Sequence, residues 1–453
     1  MWDDRTPMIL ITFDGLGDRP CEELNGQTPL EAARTPNLDE LTRIGVSGIH
    51  QPFGSGRATS SERSHWAMFG QTQTFPGRAL LEATGMGIEI PSQRPHFHLA
   101  LRPAEIRDGQ LHAIGRVSID DSPDCLDLFD ALRVMPHELN PVLHPLRNGE
   151  CILESAALSS HEISDSDPLF GHLHPVLKPL PLDDAVDSIA AHNSAELMTS
   201  WLSAAVKMLQ DHPINKARRE AGKLELIAPV TKWASNKTEL KTFEQSTGLT
   251  GAAVTSSALY RGLAETLGMT QTHIPSDMEN IQEDFEARIL AGIELSKTHS
   301  FVHIHTKATD EAGHTKSPSL KRDVIEALDR ACHSLIELAQ TITIVITGDH
   351  ATPSTGGIMH SAHPTSIVLV GPHVHPDAVT ACGESSHKSG DLGKIAASDI
   401  LPLMSHYSHR AAFKGHATGS CETIALPDNP IALDFSEPTN ENHVTQINRT
   451  GIK

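Results

Sequence analysis

The fold of this chain is indicated most clearly by residues 301–314, which read FVHIHTKATDEAGH. The segment begins with an apolar, β-branched run that predicts a buried strand. It continues to Asp310 and His314, which lie on one face if a helical turn begins where the strand ends. Open α/β sheets place functional side chains at the carboxyl ends of strands, so this junction predicts an α/β fold with a ligand site. The alternative is an aspartate that caps a helix, followed by a surface histidine.

Two further predicted strands also end in acidic residues. Residues 341–346, TITIVI, precede Asp349 and His350, and residues 8–13, MILITF, precede Asp14. We expect the three acidic strand ends to meet at one sheet edge, where a metal ion would offset the repulsion between carboxylates. Because Asp349 and His350 are adjacent, they suit one metal ion only from a bent loop, and a simple strand-end turn is the alternative.

The same regions offer a third histidine and a nucleophile. His360 lies in a loop before a predicted strand, where a lone histidine is ordinarily solvated. Oxygen and imidazole ligands without thiolate suit Mn²⁺, Zn²⁺ or Mg²⁺, and two such ions about 4 Å apart clamp a phosphoryl group during displacement. Residues 58–65, ATSSERSH, place a serine at a loop-to-helix start, where a phosphate is stabilised. The alternative is that Ser60 or Ser61 only caps the helix, with Glu62 in its first turn.

Composition excludes several classes of partner. The 453 residues carry 36 Lys and Arg against 57 Asp and Glu, a net charge of −21, which argues against nucleic acid and anionic membranes. A small anionic substrate remains possible because bound divalent cations invert the local field. The sequence lacks a transmembrane run, a signal-peptide pattern and any Cys-x-x-Cys pair, so we expect a soluble cytoplasmic protein without a disulfide framework.

The texture of the sequence divides the chain into parts. Strand and helix signals alternate over residues 8–90, which favours a parallel, doubly wound sheet. We therefore expect residues 1–93 and 183–424 to form one α/β core. Residues 94–182 are rich in proline and histidine and predict an inserted, smaller α+β domain, and residues 425–453 predict a polar, poorly ordered tail.

Short ordered motifs occur at both ends of the chain. They are FDGLGDRP at 13–20, QTPLEAA at 27–33, TPNLD at 35–39, PGR at 76–78, TDEAGH at 309–314, DH at 349–350 and HSA at 360–362. Weaker matches continue through ISDSDP at 163–168 and HPINK at 212–216. Together these motifs resemble the archaeal-type 2,3-bisphosphoglycerate-independent phosphoglycerate mutases of the alkaline phosphatase superfamily. The resemblance implies an alkaline-phosphatase-like doubly wound sheet with an inserted domain.

The resemblance also implies roles for individual residues. It implies two metal ions, one held by Asp14, Ser61, Asp349 and His350 and the other by Asp310, His314 and His360. Ser61 corresponds to the family's nucleophilic serine because it precedes a histidine, His65, by four positions. It would take a phosphoryl group and return it to the second hydroxyl of the same glycerate, interconverting 2- and 3-phosphoglycerate. Lys307 and Arg116 would contact the substrate, whereas His65 has either a site role or a packing role.

The inserted domain departs from the family's pattern. The family carries Asp-Arg-Arg-x-Gly-Arg where this chain has residues 111–116, LHAIGR, so only Arg116 is kept. Residues 154–155 and 231–233 likewise replace expected arginine-containing elements, and Ser61 is flanked by Ser60 and by Glu62-Arg63 instead of Gly and Asp-Thr. Arg57 or Arg63 could supply replacement cations, or each could be a solvated surface residue.

These departures leave three hypotheses for function. The first is a phosphoglycerate mutase that works through a phosphoserine. The second is a mutase or hydrolase acting on a different small phosphorylated or phosphonate metabolite, since arginine forks commonly hold carboxylates and phosphates. The third is a non-catalytic, metal-dependent binding protein. The oligomeric state is not predicted by any of these features.

Overall fold

A computed structural model describes residues 4–89, 94–118, 120–146, 148–169, 173–237 and 239–433. The strands in these ranges are β1 Met8–Phe13, β2 Val46–His50, β3 His96–Arg107, β4 Gln110–Ala113, β5 Val142–Pro145, β6 Glu150–Glu154, β7 Glu225–Ser235, β8 Gly251–Thr255, β9 Thr270–His273, β10 Phe301–Thr306, β11 Thr343–Thr347, β12 Thr365–Val370 and β13 Gly393–Ile395. The α-helices are α1 Pro29–Ala32, α2 Pro36–Ile44, α3 Ser61–Met68, α4 Arg78–Gly85, α5 Ser122–Val134, α6 Ser188–Asp211, α7 Pro213–Glu220, α8 Phe243–Thr247, α9 Ala258–Thr266, α10 Ile281–Ser296, α11 Ala308–His314, α12 Pro318–Ala331, α13 Leu335–Leu338, α14 Glu384–His387 and α15 Ala397–Tyr407.

The larger sheet has eight strands in the order β13-β2-β12-β11-β1-β10-β8-β9. The central strand β1 pairs parallel with both β10 and β11, and all six of its residues are buried, as expected for a strand covered on both faces. β12 pairs antiparallel with β11 and β2, so the sheet is mixed rather than wholly parallel. Apolar clusters cover both faces of this sheet, and the doubly wound α/β core predicted from the sequence is confirmed. No helix in the described ranges is long and apolar enough to cross a membrane.

The smaller sheet belongs to the inserted unit, which is longer than predicted. β7 pairs antiparallel with β3 along most of its length, and α6 packs into the same apolar cluster through Trp201 and Leu202. The predicted boundary at residue 182 is therefore wrong, because the second sheet is completed only by β7, which ends at Ser235. Composition is a poor guide here, since α6 and β7 have the regular α/β texture of the core.

The tail also differs from the prediction. Ala425 is fully buried, and its N–H donates to the carbonyl of Thr247. The carboxylate of Asp428 accepts hydrogen bonds from Thr250 and from the guanidinium of Arg410. The first residues of the predicted tail thus pack on the core, and the prediction of poor order is wrong for them. Residues 434–453 lie outside the described ranges.

Candidate metal centre and active site

Three neighbouring strands bring the predicted carboxylates together at one edge of the large sheet. Asp14 follows β1, Asp310 lies in α11 directly after β10, and Asp349 follows β11. Each of the three residues is at most 2% exposed. The N–H of Gly15 donates to Oδ1 of Asp349 over 2.9 Å, which joins the loop after β1 to the loop after β11. The expected convergence of acidic strand ends is therefore present.

The first group of candidate ligands surrounds the hydroxyl of Ser61. Its Oγ lies 2.9 Å from Nε2 of His350 and 3.2 Å from Oδ1 of Asp14. Nε2 of His350 lies 3.1 Å from Oδ1 of Asp14 and 3.5 Å from Oδ2 of Asp349. The loop after β11 is bent enough for the adjacent Asp349 and His350 to face one point, as a shared cation requires.

The second group lies beside the first. Nε2 of His314 is 3.2 Å and Nε2 of His360 is 3.7 Å from Oδ1 of Asp310. Asp310 is the third residue of α11, whose N-cap is Lys307, so the interpretation of Asp310 as a helix cap is wrong. The ring of His360 stacks on that of His350 with centroids 3.9 Å apart, which places the two groups next to each other.

The loop position of His360 is fixed by a backbone contact. Its Nδ1 lies 2.9 Å from the carbonyl oxygen of Thr59 and donates to it, so Nε2 carries a lone pair on the side of Asp310. Burial and the neighbouring His350 lower the pKa of His360 to about 3, which keeps the ring neutral. A neutral imidazole with its second nitrogen anchored is the form that binds metal ions.

Ser61 is the first residue of α3, and its neighbour does not compete with it. Ser60 occupies the N-cap position, yet within the described part of the chain its hydroxyl makes no cap hydrogen bond. It donates instead to Oε1 of Glu62 over 2.7 Å. The structure therefore separates the two serines: Ser60 faces a carboxylate of its own helix, and Ser61 faces the candidate ligands.

The donor set fits divalent cations. Oδ2 of Asp349 is buried and has no hydrogen-bond partner among the described residues. Burial and the nearby charge of Asp14 raise the pKa of Asp349 to about 8. Burial opposes protonation of His350, but the carboxylates of Asp349 and Asp14 raise the pKa of this imidazole to about 9. Such crowding of buried, like-charged oxygens is relieved when cations bind, and the mixture of carboxylate and imidazole suits Mn²⁺, Zn²⁺ or Mg²⁺.

Lys307 lies between the two groups. Its Nζ is 3.1 Å from Oδ2 of Asp310 and 4.0 Å from Oδ2 of Asp14. The side chain is 24% exposed, so its ammonium can also contact a bound anion. The contact of Lys307 with substrate stays a prediction.

A layer of aromatic side chains behind the first group was missed by sequence reasoning. The hydroxyl of Tyr260 donates to Oδ2 of Asp14 over 2.8 Å, and Nε2 of His305 lies 3.2 Å from the same oxygen. His65 packs edge-to-face against Tyr260 and His305, and burial lowers its pKa to about 3. Its Nδ1 also donates to the carbonyl oxygen of Ser61 over 2.8 Å and lies 3.6 Å from Oδ2 of Asp349, so the packing role and the site role of His65 both stay predictions. The sequence carries one signal for this aromatic layer. It is a pair of histidines, His303 and His305, at alternate positions of the buried strand β10.

Comparisons with known proteins identify the family. The family model of the metalloenzyme superfamily matches residues 6–407 of this chain. Over 442 residues the chain is 33% identical to 2,3-bisphosphoglycerate-independent phosphoglycerate mutase 2 of Methanocaldococcus jannaschii, covering 94% of this chain and 99% of the relative. The chain belongs to this mutase family.

Further relatives agree with this assignment. The 2,3-bisphosphoglycerate-independent phosphoglycerate mutase of Thermococcus gammatolerans is 30% identical over 410 residues, with 89% of this chain and 97% of the relative covered. A solved protein of Pyrococcus horikoshii matches with a TM-score of 0.69 and 27% identity over 91% of this chain and all of that chain. The cofactor-independent phosphoglycerate mutase of Thermoplasma acidophilum matches with a TM-score of 0.57 and 28% identity over 89% of this chain and all of that one. As a member of the mutase family, the chain is a metal-dependent enzyme of the metalloenzyme superfamily.

A charged cavity of about 290 Å³ lies between the inserted unit and the candidate metal centre. Arg102, Arg116, Lys232 and Asp167 line it from the inserted unit, and Met359, next to His360, lines it from the core. Nη2 of Arg116 is 3.5 Å from Sδ of Met359. Although this member lacks most of the mutase family's arginines, its cavity still presents four cationic side chains, the fourth being Arg107.

Two of these cations are buried and held by carboxylates. Nη1 of Arg102 lies 2.9 Å from Oε1 of Glu150, and Nζ of Lys232 lies 2.9 Å from Oδ2 of Asp167. Nη2 of Arg102 is 3.7 Å from that same Asp167 oxygen. Sequence reasoning missed Arg102, although an arginine within the otherwise buried strand β3 is a recognisable signal.

Arg57 and Arg63 do not replace the missing arginines. Both residues are exposed. The guanidinium of Arg63 lies over the ring of Phe75 at 4.7 Å, and Nη1 of Arg57 is 3.3 Å from the carbonyl oxygen of Phe53. Their contacts are those of surface arginines. The cations that line the cavity are other residues, among them Arg102 and Lys232.

Proposed function

We propose that this protein interconverts 2- and 3-phosphoglycerate through a phosphoserine at Ser61. The observation that carries the proposal is the position of the Ser61 hydroxyl at the start of α3, within hydrogen-bond distance of both His350 and Asp14. The names of the relatives, all phosphoglycerate mutases, support the choice of substrate.

The residues present would hold two divalent cations, Mn²⁺, Zn²⁺ or Mg²⁺. Asp14, Ser61, Asp349 and His350 would hold one ion, and Asp310, His314 and His360 the other. Bound there, the ions would lower the pKa of the Ser61 hydroxyl and balance the charge of the transferring phosphoryl oxygens.

The chain's own residues then account for the two transfers. Oγ of Ser61 displaces the substrate oxygen from phosphorus, so that a P–Oγ bond forms, the P–O bond to the glycerate breaks and the released oxygen takes up a proton. The second hydroxyl of the same glycerate loses its proton and attacks phosphorus, which breaks the P–Oγ bond and regenerates the serine. Lys307 contacts a phosphoryl oxygen as a point charge throughout.

The charged cavity would retain the glycerate between the two transfers. Arg102, Arg116 and Lys232 would bind the carboxylate, which remains an anion in both half-reactions. The substrate can then turn its second hydroxyl towards Ser61 without leaving. Because four cations line the cavity, the loss of the family's arginines does not favour a different phosphorylated or phosphonate substrate. The combination of a nucleophile with seven candidate ligands also disfavours a non-catalytic binding protein.

The test is the conversion of 3-phosphoglycerate by the purified, Mn²⁺-loaded protein. We expect 2-phosphoglycerate to appear without added bisphosphoglycerate, and inorganic phosphate to be a minor product. Failure to form 2-phosphoglycerate with both metal sites loaded would reject the proposal. Phosphate release from a panel of simple phosphomonoesters would instead identify a hydrolase.

A further inference from the structure

The two carboxylate oxygens of Asp14 have different surroundings. Oδ1 faces the Ser61 hydroxyl at 3.2 Å and Nε2 of His350 at 3.1 Å. Oδ2 accepts hydrogen bonds from Tyr260 and His305 at 2.8 and 3.2 Å, and it lies 4.0 Å from Nζ of Lys307. Except for Lys307, all these side chains are buried. One oxygen is therefore available at the candidate site, while the other is already engaged.

The Asp14 carboxylate sets the direction of the His305 hydrogen bond, because an ionised carboxylate can only accept. Oγ of Ser256 lies 2.7 Å from Nδ1 of His305. Nε2 of His305 therefore carries the ring proton and donates it to Asp14, and the neutral ring accepts at Nδ1 from the Ser256 hydroxyl. The Tyr260 hydroxyl is a donor as well, so Oδ2 receives two hydrogen bonds.

Tyr260 owes its position to a close helix contact. It lies in α9 between Ala258 and Gly262, and both of these residues touch α4. A Cβ atom on Gly262 would lie 1.6 Å from the carbonyl oxygen of Leu81, and one on Gly85 would lie 1.8 Å from that of Ala258. Only glycine permits the two helices to approach this closely. The ring centroids of Tyr260 and His305 then lie 3.5 Å apart, and both side chains contact Oδ2 of Asp14.

We infer that Tyr260 and His305 are positioning residues that hold Oδ2 of Asp14 and thereby keep Oδ1 directed at the cation beside Ser61. The inference rests on the proposed function only in taking Asp14 as a metal ligand. Two donors on one oxygen prevent the carboxylate from rotating. A freely rotating carboxylate would lose a defined ligand geometry, and partners of this kind typically contribute about 10- to 100-fold in metal affinity.

Metal binding to the metal-free protein tests this inference without any substrate. Mn²⁺ titrations followed by electron paramagnetic resonance give the affinities of the two sites. In Tyr260→Phe the ring remains and only the hydroxyl is lost, and we expect one of the two sites to bind about 10- to 100-fold more weakly. His305→Leu should have the same effect. His305→Gln places an amide N–H near the position of Nε2 and should restore most of the affinity.

His303 provides the matched control. It lies two positions before His305 in β10, is 2% exposed, and its Nε2 contacts the hydroxyl of Thr12 at 3.1 Å rather than Asp14. We expect His303→Leu to bind both Mn²⁺ ions with affinities within about threefold of the natural protein. Thermal unfolding of each metal-free variant separates loss of ligand geometry from loss of the fold.

The outcomes are distinct. Unchanged Mn²⁺ affinities in Tyr260→Phe and His305→Leu would overturn the inference, as would an equal loss in His303→Leu. A lower melting temperature with unchanged affinity would assign Tyr260 a purely structural role and would also overturn it. If the natural protein binds two Mn²⁺ ions but does not act on 3-phosphoglycerate, the proposed substrate fails, whereas weaker binding in Tyr260→Phe would still support the positioning role.

Discussion

Nζ of Lys321 lies 3.1 Å from Oδ2 of Asp18, and both side chains are fully buried. The same ammonium donates to the carbonyl oxygens of Gly15 and Gly17 in the loop after β1, and to that of Thr352 in the loop after β11. One lysine of α12 thus joins the two loops that carry Asp14, Asp349 and His350.

Replacing this lysine should destabilise the protein strongly. Lys321→Met leaves the Asp18 carboxylate buried without its cation, which typically costs about 3–5 kcal/mol. Arg322→Met, at the next position of α12, removes only the ion pair of a half-buried arginine with the exposed Asp323 and should cost less than about 1 kcal/mol. Denaturant unfolding followed by circular dichroism measures both. Equal free energies of unfolding for the two variants would contradict the assigned role of Lys321.

Ser61→Ala should abolish turnover of 3-phosphoglycerate. Loss of a nucleophile typically lowers kcat by several orders of magnitude, so we expect a decrease of at least about 10⁴-fold. Ser60→Ala is the control, because the Ser60 hydroxyl contacts Glu62 and not the candidate ligands. Its kcat should stay within about threefold of the natural value. Acid quenching with ³²P-labelled substrate should trap label on the peptide that contains Ser61, and label on Ser60 would refute the assignment.

Lys232→Met should weaken substrate binding more than catalysis. The substitution removes a cation from the cavity and leaves the Asp167 carboxylate to repel the substrate, so we expect KM for 3-phosphoglycerate to rise at least about tenfold. Arg219→Met removes an exposed arginine paired with Glu225, away from the cavity lining, and should leave KM unchanged. A normal KM in Lys232→Met would remove this lysine from the substrate site.

Removal of metal ions should expose the repulsion between buried carboxylates. At pH 10, above the raised pKa of about 8 for Asp349 and of about 9 for His350, both Asp349 and Asp14 are ionised and His350 is neutral in the metal-free protein. We expect Asp349→Asn to raise the melting temperature of the metal-free protein under these conditions, because one buried charge is removed. With Mn²⁺ present we expect the variant to melt at a lower temperature than the natural protein, because the variant lacks a metal ligand. A metal-free variant that melts below the metal-free natural protein would contradict this expectation.

Glu384 should make stability depend on pH away from the metal centre. Burial raises its pKa from 4.5 to about 7, although a 2.7 Å hydrogen bond from the Thr28 hydroxyl opposes the shift. Because the pKa is higher in the folded state, the folded protein binds the extra proton between these values, and the free energy of unfolding falls as pH rises from about 4.5 to about 7. The expected decrease is on the order of 3 kcal/mol. Glu384→Gln should flatten the dependence in urea titrations at pH 5 and 7.5, and an unchanged slope would contradict it.

Local spacing made the candidate ligands predictable. Asp310 and His314 lie one helical turn apart in the sequence and in α11, and strand ends in adjacent parallel strands must meet. The resemblance to a known family separated Ser61 from Ser60, which composition alone left open. These features depend on short segments whose geometry is set by their own residues.

Long-range packing could not be inferred in the same way. The hydrogen bond between Tyr260 and Asp14 joins residues 246 positions apart, and tyrosine has no pattern that distinguishes such a role. Likewise, β7 completes the inserted sheet by pairing with β3, which no local property of either strand specifies. The domain boundary at residue 182 was wrong for this reason, and Arg102 was overlooked because its partners Glu150 and Asp167 come from distant segments.

The contact of Gly85 with α9 makes the inserted unit hard to exchange as a module. Among the described residues, α4 is the last helix before the chain enters that unit at β3, and the same helix contacts the turn of α9 that carries Tyr260. A chimera that takes the inserted unit from a relative with new substrate preferences would need its junction placed after Gly85. A graft that displaced α4 would also move Tyr260 in α9 and so remove its hydrogen bond to Asp14. The hybrid would then bind metal ions weakly, and its substrate preference could not be measured.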